Sequence, residues 1–119
     1  MHAIRFQLEI TYFYVVHLKR MNLLEKYRND IQQLCIKYNV TQLYAFGSVL
    51  TDHFNESSDI DLIVNFDKIN IDDYANNYYN LKFSLEDVFK RPVDLLEENA
   101  LKNPYFKRSL EKQRQLVYG

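Results

Sequence analysis

The amino-acid sequence predicts a small α+β domain, α/β-like in the way its helices and strands succeed one another. Two long segments repeat apolar residues at steps of three and four, the mark of amphipathic helices. Short apolar runs bounded by turn-forming residues read as strands, and the two kinds of segment alternate along the chain. At 119 residues the chain has room for one domain with its own core and not for two. Hydrophobic residues make up 47% and charged residues 26%, which excludes a disordered tail or a fibre.

Residues 1–20, MHAIRFQLEITYFYVVHLKR, hold a β-prone stretch, ITYFYVV, between charges. They lack the long apolar run and small-residue cleavage site of a secretory signal, which excludes secretion. They are read as an extension, a strand or helix peripheral to a domain that occupies 21–119. From Met21, a helical face carries Leu24, Tyr27, Ile31, Leu34, Cys35 and Tyr38, and Asn39 ends that helix. LYAF, 43–46, is a short strand stopping at Gly47; SVLTDHF then gives a turn or two of helix, and NESS a polar loop. In DIDLIVNF, 59–66, Asp59, Asp61 and Ile63 share one strand face and Ile60, Leu62 and Val64 the other. A second long helix follows over 72–90, where Tyr74, Tyr78, Leu81, Leu85, Val88 and Phe89 keep helical spacing and Asp72 or Asp73 caps the first turn. Pro92 introduces a strand over 93–96 in which Asp94 points away from Val93 and Leu95. NPYFKRSLEKQRQLVY, beginning at Asn103 and Pro104, is read as one closing helix.

Charge narrows the partners. Lys and Arg number 15 against 16 Asp and Glu, so the chain lacks the basic excess of a non-specific nucleic-acid binder, and no direct nucleic-acid binding is expected. Cys35 is the single cysteine and cannot form an internal disulfide, which points to a reducing cytoplasm. No apolar run approaches the roughly 20 residues of a membrane span, so no membrane partner is expected.

The chemistry is carried by three aspartates and a glycine. Asp59 and Asp61 alternate on one strand face a few ångströms apart, an arrangement that destabilises a fold unless a cation neutralises it. Asp94 on a neighbouring strand completes an all-oxygen donor set for a hard cation such as magnesium. Two ions held about 4 Å apart by such carboxylates align attacking and leaving oxygens for phosphoryl transfer. Gly47 is the only glycine before the C-terminal residue, and it ends a strand directly before Ser48. There the backbone can approach a ligand closely and the following turn can offer N–H groups to a phosphate.

Gly47-Ser48, ten residues, then Asp59-x-Asp61 resembles the signature of the nucleotidyltransferase superfamily related to DNA polymerase beta. GSVLTDHFNESSDIDLIVNF carries the main motif, RPVDLLEENAL resembles the segment with the third carboxylate, and NPYFKRSLEKQRQLVY resembles the terminal helix. The short chain looks like a minimal nucleotidyltransferase, the bare catalytic domain. The resemblance implies a palm-like fold, a small mixed β-sheet flanked by helices. It further implies that Asp59, Asp61 and Asp94 bind magnesium, in the family two ions, and that Asp61 or Asp94 helps activate the acceptor hydroxyl. Gly47 and Ser48 would hold the phosphates of a nucleoside triphosphate, ATP as donor. Minimal members are commonly antitoxins paired with a HEPN ribonuclease toxin, so the resemblance implies transfer of AMP from ATP to a tyrosine of that toxin. Occlusion of the toxin without catalysis, and transfer to a small molecule, are the alternatives.

One departure stands out: Val49, Leu50, Thr51, Asp52 and His53 occupy positions where many members carry basic residues. His53 is the candidate phosphate contact in their place, while His2 and His17 are scattered and lack any metal-ligand spacing.

Overall fold

A computed structural model describes residues 23–119; residues 1–20 and the expected helix start at Met21 lie outside the described residues. Four strands form a mixed sheet in the order β3-β2-β1-β4. Helix α1 (Arg28–Lys37) leads into β1 (Val40–Phe46), a 3-10 turn (Gly47–Leu50) and β2 (Ile60–Phe66). Helix α2 (Ile71–Phe89) crosses to β3 (Val93–Glu97), and a second 3-10 turn (Glu98–Ala100) leads to helix α3 (Pro104–Gln113) and β4 (Gln115–Tyr118). β1 pairs antiparallel with β2 and with β4, whereas β2 and β3 run parallel, as a strand–helix–strand crossover allows.

Alternation along the strands divides the sheet into two faces. Leu43, Ala45, Ile60, Leu62, Val64, Val93 and Leu95 are buried with Ile31 and Cys35 of α1 and Leu81, Leu85 and Phe89 of α2 in one core. The helical spacing read from the sequence therefore marks the buried stripes of α1 and α2. Tyr27 meets Phe89 edge-on at 5.6 Å between ring centres, and the Asn77 side-chain amide donates to the Tyr38 carbonyl at 2.7 Å, so the two helices run antiparallel. Burial pushes the Cys35 thiol up to about 12, as suits a core residue with no reactive role. Asn39 adopts φ 60 just after α1 and Lys90 φ 57 after α2, left-handed stops that turn each helix into a strand. Among the described residues no helix is long and apolar enough to cross a membrane.

The structure corrects several boundaries. The strand expected at 43–46 begins at Val40. The helix expected from SVLTDHF is a single 3-10 turn, because the Thr51 N–H and hydroxyl both bond back to the Ser48 carbonyl at 2.9 Å and close it. Neither Asp72 nor Asp73 caps α2: Asn70 holds the N-cap position without a side-chain bond, and the two aspartates lie in the first turn, where the helix dipole favours them. The closing helix stops at Gln113, and Gln115–Tyr118 is a strand. β1 would otherwise leave a row of unpaired backbone groups along that edge; a run of Leu, Val and Tyr suits a strand there.

The start of α3 was read correctly. Asn103 is its N-cap, its side-chain oxygen accepting from the backbone N–H of Tyr105 at 2.9 Å and of Phe106 at 3.2 Å, with Pro104 at the first helical position. Asn103→Ala is expected to cost about 1 kcal/mol of stability. Urea unfolding of the two proteins checks it: the midpoint falls while the slope stays the same.

Candidate functional site

The sheet face away from the two long helices carries the carboxylates. Asp61 of β2 stands opposite Asp94 of β3 in the parallel register and opposite Phe46 of β1 on its other side. Paired residues of adjacent strands share a face about 4.8 Å apart, so the two carboxylates are immediate neighbours. Asp59 lies one residue ahead of β2 and is exposed, as is Asp94, while Asp61 is half-buried. Partial burial, first, and the negative charges of Asp94 and Asp59, second, raise the Asp61 carboxyl above its usual range. The expected crowding of like charge is thus present.

Gly47 sits at the end of β1 against this pair. Its φ is +72, a backbone conformation that L side chains rarely adopt, and a methyl group built on it would collide with the Asp61 carboxylate oxygen. The glycine therefore serves the carboxylate as well as any ligand. Ser48 follows in the half-buried 3-10 turn, its carbonyl tied by Thr51. The backbone of Gly47 and Ser48 is thereby brought to the same end of the sheet as Asp61. His53 is exposed in the loop beyond, its backbone N–H bonded to the Thr51 hydroxyl at 3.3 Å.

The donor type and the charge of these residues fit a hard divalent cation. Among the described residues no three His, Cys, Asp or Glu side chains are gathered tightly enough to enclose one. Closing Asp59 and Asp94 onto Asp61 takes side-chain rotation, which their exposure permits.

A nucleotidyltransferase domain model matches residues 24–117, spanning the Gly-Ser turn and all three aspartates. The chain belongs to the nucleotidyltransferase family. It is similar to a Methanocaldococcus jannaschii protein named a putative protein adenylyltransferase, with 34% identity over 97 residues that cover 82% of this chain and 91% of the relative. Among solved structures it resembles one described as a putative minimal nucleotidyltransferase, with TM-score 0.65 and 26% identity over 77% of this chain and 90% of that one. The fold also recurs in a structure described as a tri-AMPylated Shewanella oneidensis HEPN toxin in complex with an MNT antitoxin, at TM-score 0.56 and 20% identity, covering 81% of this chain and 72% of that one.

Around the nucleotidyltransferase carboxylates the structure places residues that sequence reasoning passed over. Tyr78 of α2 donates its hydroxyl to the Leu95 carbonyl beside Asp94. Burial chiefly, then Tyr79 and the charges of Asp94 and Glu97, hold this phenol protonated above its usual range. Farther along the carboxylate face, Glu98 accepts from Arg114 at 2.7 Å and from the Asn65 amide, and the Arg114 guanidinium lies 4.0 Å over the Tyr44 ring. Burial works against the Glu98 charge, but these hydrogen bonds outweigh it and keep the carboxyl below its usual range. The network fastens the end of α3 to β1 and β2. Nothing in the local sequence pairs Asn65, Glu98 and Arg114, which meet only through the tertiary fold.

Proposed function

We propose that this nucleotidyltransferase transfers AMP from ATP to a tyrosine hydroxyl of a partner protein in a magnesium-dependent reaction. We further propose that the partner is a HEPN ribonuclease toxin, which the transfer silences. The observation that carries the reading is the placement of Gly47 and Asp61 in contact range with Asp94 beside them. The adenylyltransferase name of the archaeal relative supports a protein acceptor, and the shared fold of the antitoxin in the AMPylated toxin complex supports the pairing.

In the proposed reaction the tyrosine oxygen bonds to the α-phosphorus of ATP, the bond from that phosphorus to the oxygen bridging to the β-phosphate breaks, and pyrophosphate leaves. Asp59, Asp61 and Asp94 would hold the magnesium, whose positive charge offsets that of the triphosphate and the departing pyrophosphate. The Gly47–Ser48 backbone would carry phosphate oxygens on its N–H groups. Asp61 or Asp94 would also help to take the proton of the attacking hydroxyl.

The test uses the full chain, radiolabelled ATP, magnesium and the protein encoded by the adjacent gene. Label on a partner tyrosine, located by mass spectrometry and absent with the Asp59→Asn, Asp61→Asn double variant, is the expected result. No transfer, or equal transfer by the double variant, rejects the reading.

A further inference from the structure

One side chain, Arg91, ties the loop ahead of Asp59 to the segment that carries Asp94. Arg91 lies in the turn between α2 and β3, three residues before Asp94, and is half-buried. Its Nη1 donates to the Asn55 carbonyl at 2.9 Å and to the Ser58 carbonyl at 3.1 Å, and its guanidinium lies 4.7 Å over the Phe54 ring. Ser58 is the residue bonded to Asp59. Next to this clamp, the Ile60 N–H donates to the Pro92 carbonyl at 3.1 Å, so the start of β2 is tied to the start of β3 by side chain and backbone together.

Apart from Phe54, which packs against the core, the clamped segment's other hydrogen bonds among the described residues are short-range. The Asn55 side chain accepts from the Ser57 N–H at 2.9 Å and from the Ser57 hydroxyl at 2.6 Å, and the Ser58 hydroxyl accepts from the Asn55 N–H at 3.1 Å. Such bonds shape the loop but do not fix it to the sheet. A planar guanidinium with several donors, stacked on an aromatic ring, sets both the height and the tilt of a loop in a way that a point charge does not.

We propose that Arg91 is the positioning residue of this site: by clamping residues 54–58 to the start of β3, it sets Asp59 against Asp61 and Asp94 and raises their joint affinity for a divalent cation. The inference rests on the metal-dependent reading of the carboxylates. Arg91 contacts backbone carbonyls and a ring, and acts on the metal only through Asp59. Groups that orient metal ligands from outside the ligand set are worth about 10–100-fold in metal affinity.

The test titrates Mn²⁺ into the full chain and reads free Mn²⁺ by electron paramagnetic resonance, without turnover. Arg91→Ala is expected to weaken binding about tenfold. Arg91→Lys, which keeps the charge but loses the fork, is expected to weaken it less; it carries the comparison if the alanine variant unfolds at the temperature used. In an Asp59→Asn background, Arg91→Ala is expected to change nothing further, because a residue that acts through Asp59 has no remaining route. Wild-type affinity in Arg91→Ala and Arg91→Lys, or an equal loss with and without Asp59, overturns the proposal. A wild-type chain that binds Mn²⁺ in an Arg91-dependent way yet adenylylates no partner overturns the proposed function and leaves this inference standing. A wild-type chain that binds no Mn²⁺ overturns both.

Discussion

Asp61→Asn is expected to remove transfer activity while making the metal-free protein more stable. Asp61 is half-buried between Phe46 and Asp94 in register, and burial together with Asp94 and Asp59 raises its carboxyl above the usual range. A carboxyl with a raised folded-state value binds its proton more tightly in the folded than in the unfolded chain. Its contribution to stability is therefore unfavourable at neutral pH and improves as pH falls through the folded-state value. A neutral amide of the same shape removes that penalty. Melting curves without metal should place Asp61→Asn above wild type at pH 7, with the gap narrowing towards pH 4. Magnesium should raise the wild-type melting temperature and leave the variant unmoved, because a ligand stabilises only the form that binds it. Transfer should fall on the order of 10³-fold, as when a group acting directly at the reacting phosphate is lost. A variant that melts below wild type throughout would show that the carboxylate is held by favourable contacts instead.

Gly47→Ala is expected to damage the same centre from the other side. A residue with a Cβ at φ +72 costs about 1–2 kcal/mol, and the added methyl also meets the Asp61 carboxylate. Relief requires Asp61 or the end of β1 to move, and a displacement of about 1 Å at a reacting centre costs on the order of 10²-fold in rate. The chain should therefore still fold, melt several degrees lower and transfer AMP roughly a hundredfold more slowly. Combining Gly47→Ala with Asp61→Gly, which makes room for the methyl, should recover more stability than the sum of the two single changes allows. Simple additivity would mean that the glycine is needed for its backbone conformation alone.

Much of the site was legible because its carriers obey local rules. Period-2 alternation put Asp61 on the face opposite Leu62 and Asp94 opposite Val93 and Leu95, and the sheet register then set Asp61 and Asp94 side by side. The helical stripes of α1 and α2 were visible for the same reason. β4 was not, because four residues after a helix show too little periodicity to override the preceding pattern, and only the open edge of β1 makes a strand of them. The loop after Ser48 shortened to one 3-10 turn because Thr51 bonds back to the Ser48 carbonyl, a local choice that apolar spacing does not report. Arg91 was passed over because its partners are backbone carbonyls 33 and 36 positions away, and a carbonyl has no identity in a sequence. His53, by contrast, drew notice by residue type but is solvent-exposed, and its described bonds, to Thr51 and Asn55, are through its backbone.

The parallel pairing of β2 with β3 also bears on when the carboxylates meet as the chain folds. The contacts of β1 with β2 span the connection 47–59, whereas β3 reaches β2 across the 19-residue helix α2 and β4 reaches β1 across most of the domain. Loop-closure entropy places the parallel contact after the β1–β2 pairing. Asp61 and Asp94 are therefore expected to meet only after β1 and β2 have paired, so their repulsion does not oppose that earlier step. A cation held between them, as the proposed reaction requires, would reward a contact made after the β1–β2 pairing. In the proposed metal-bound protein its effect would fall on the unfolding rate, making the metal a latch on the finished domain and not a nucleus for folding.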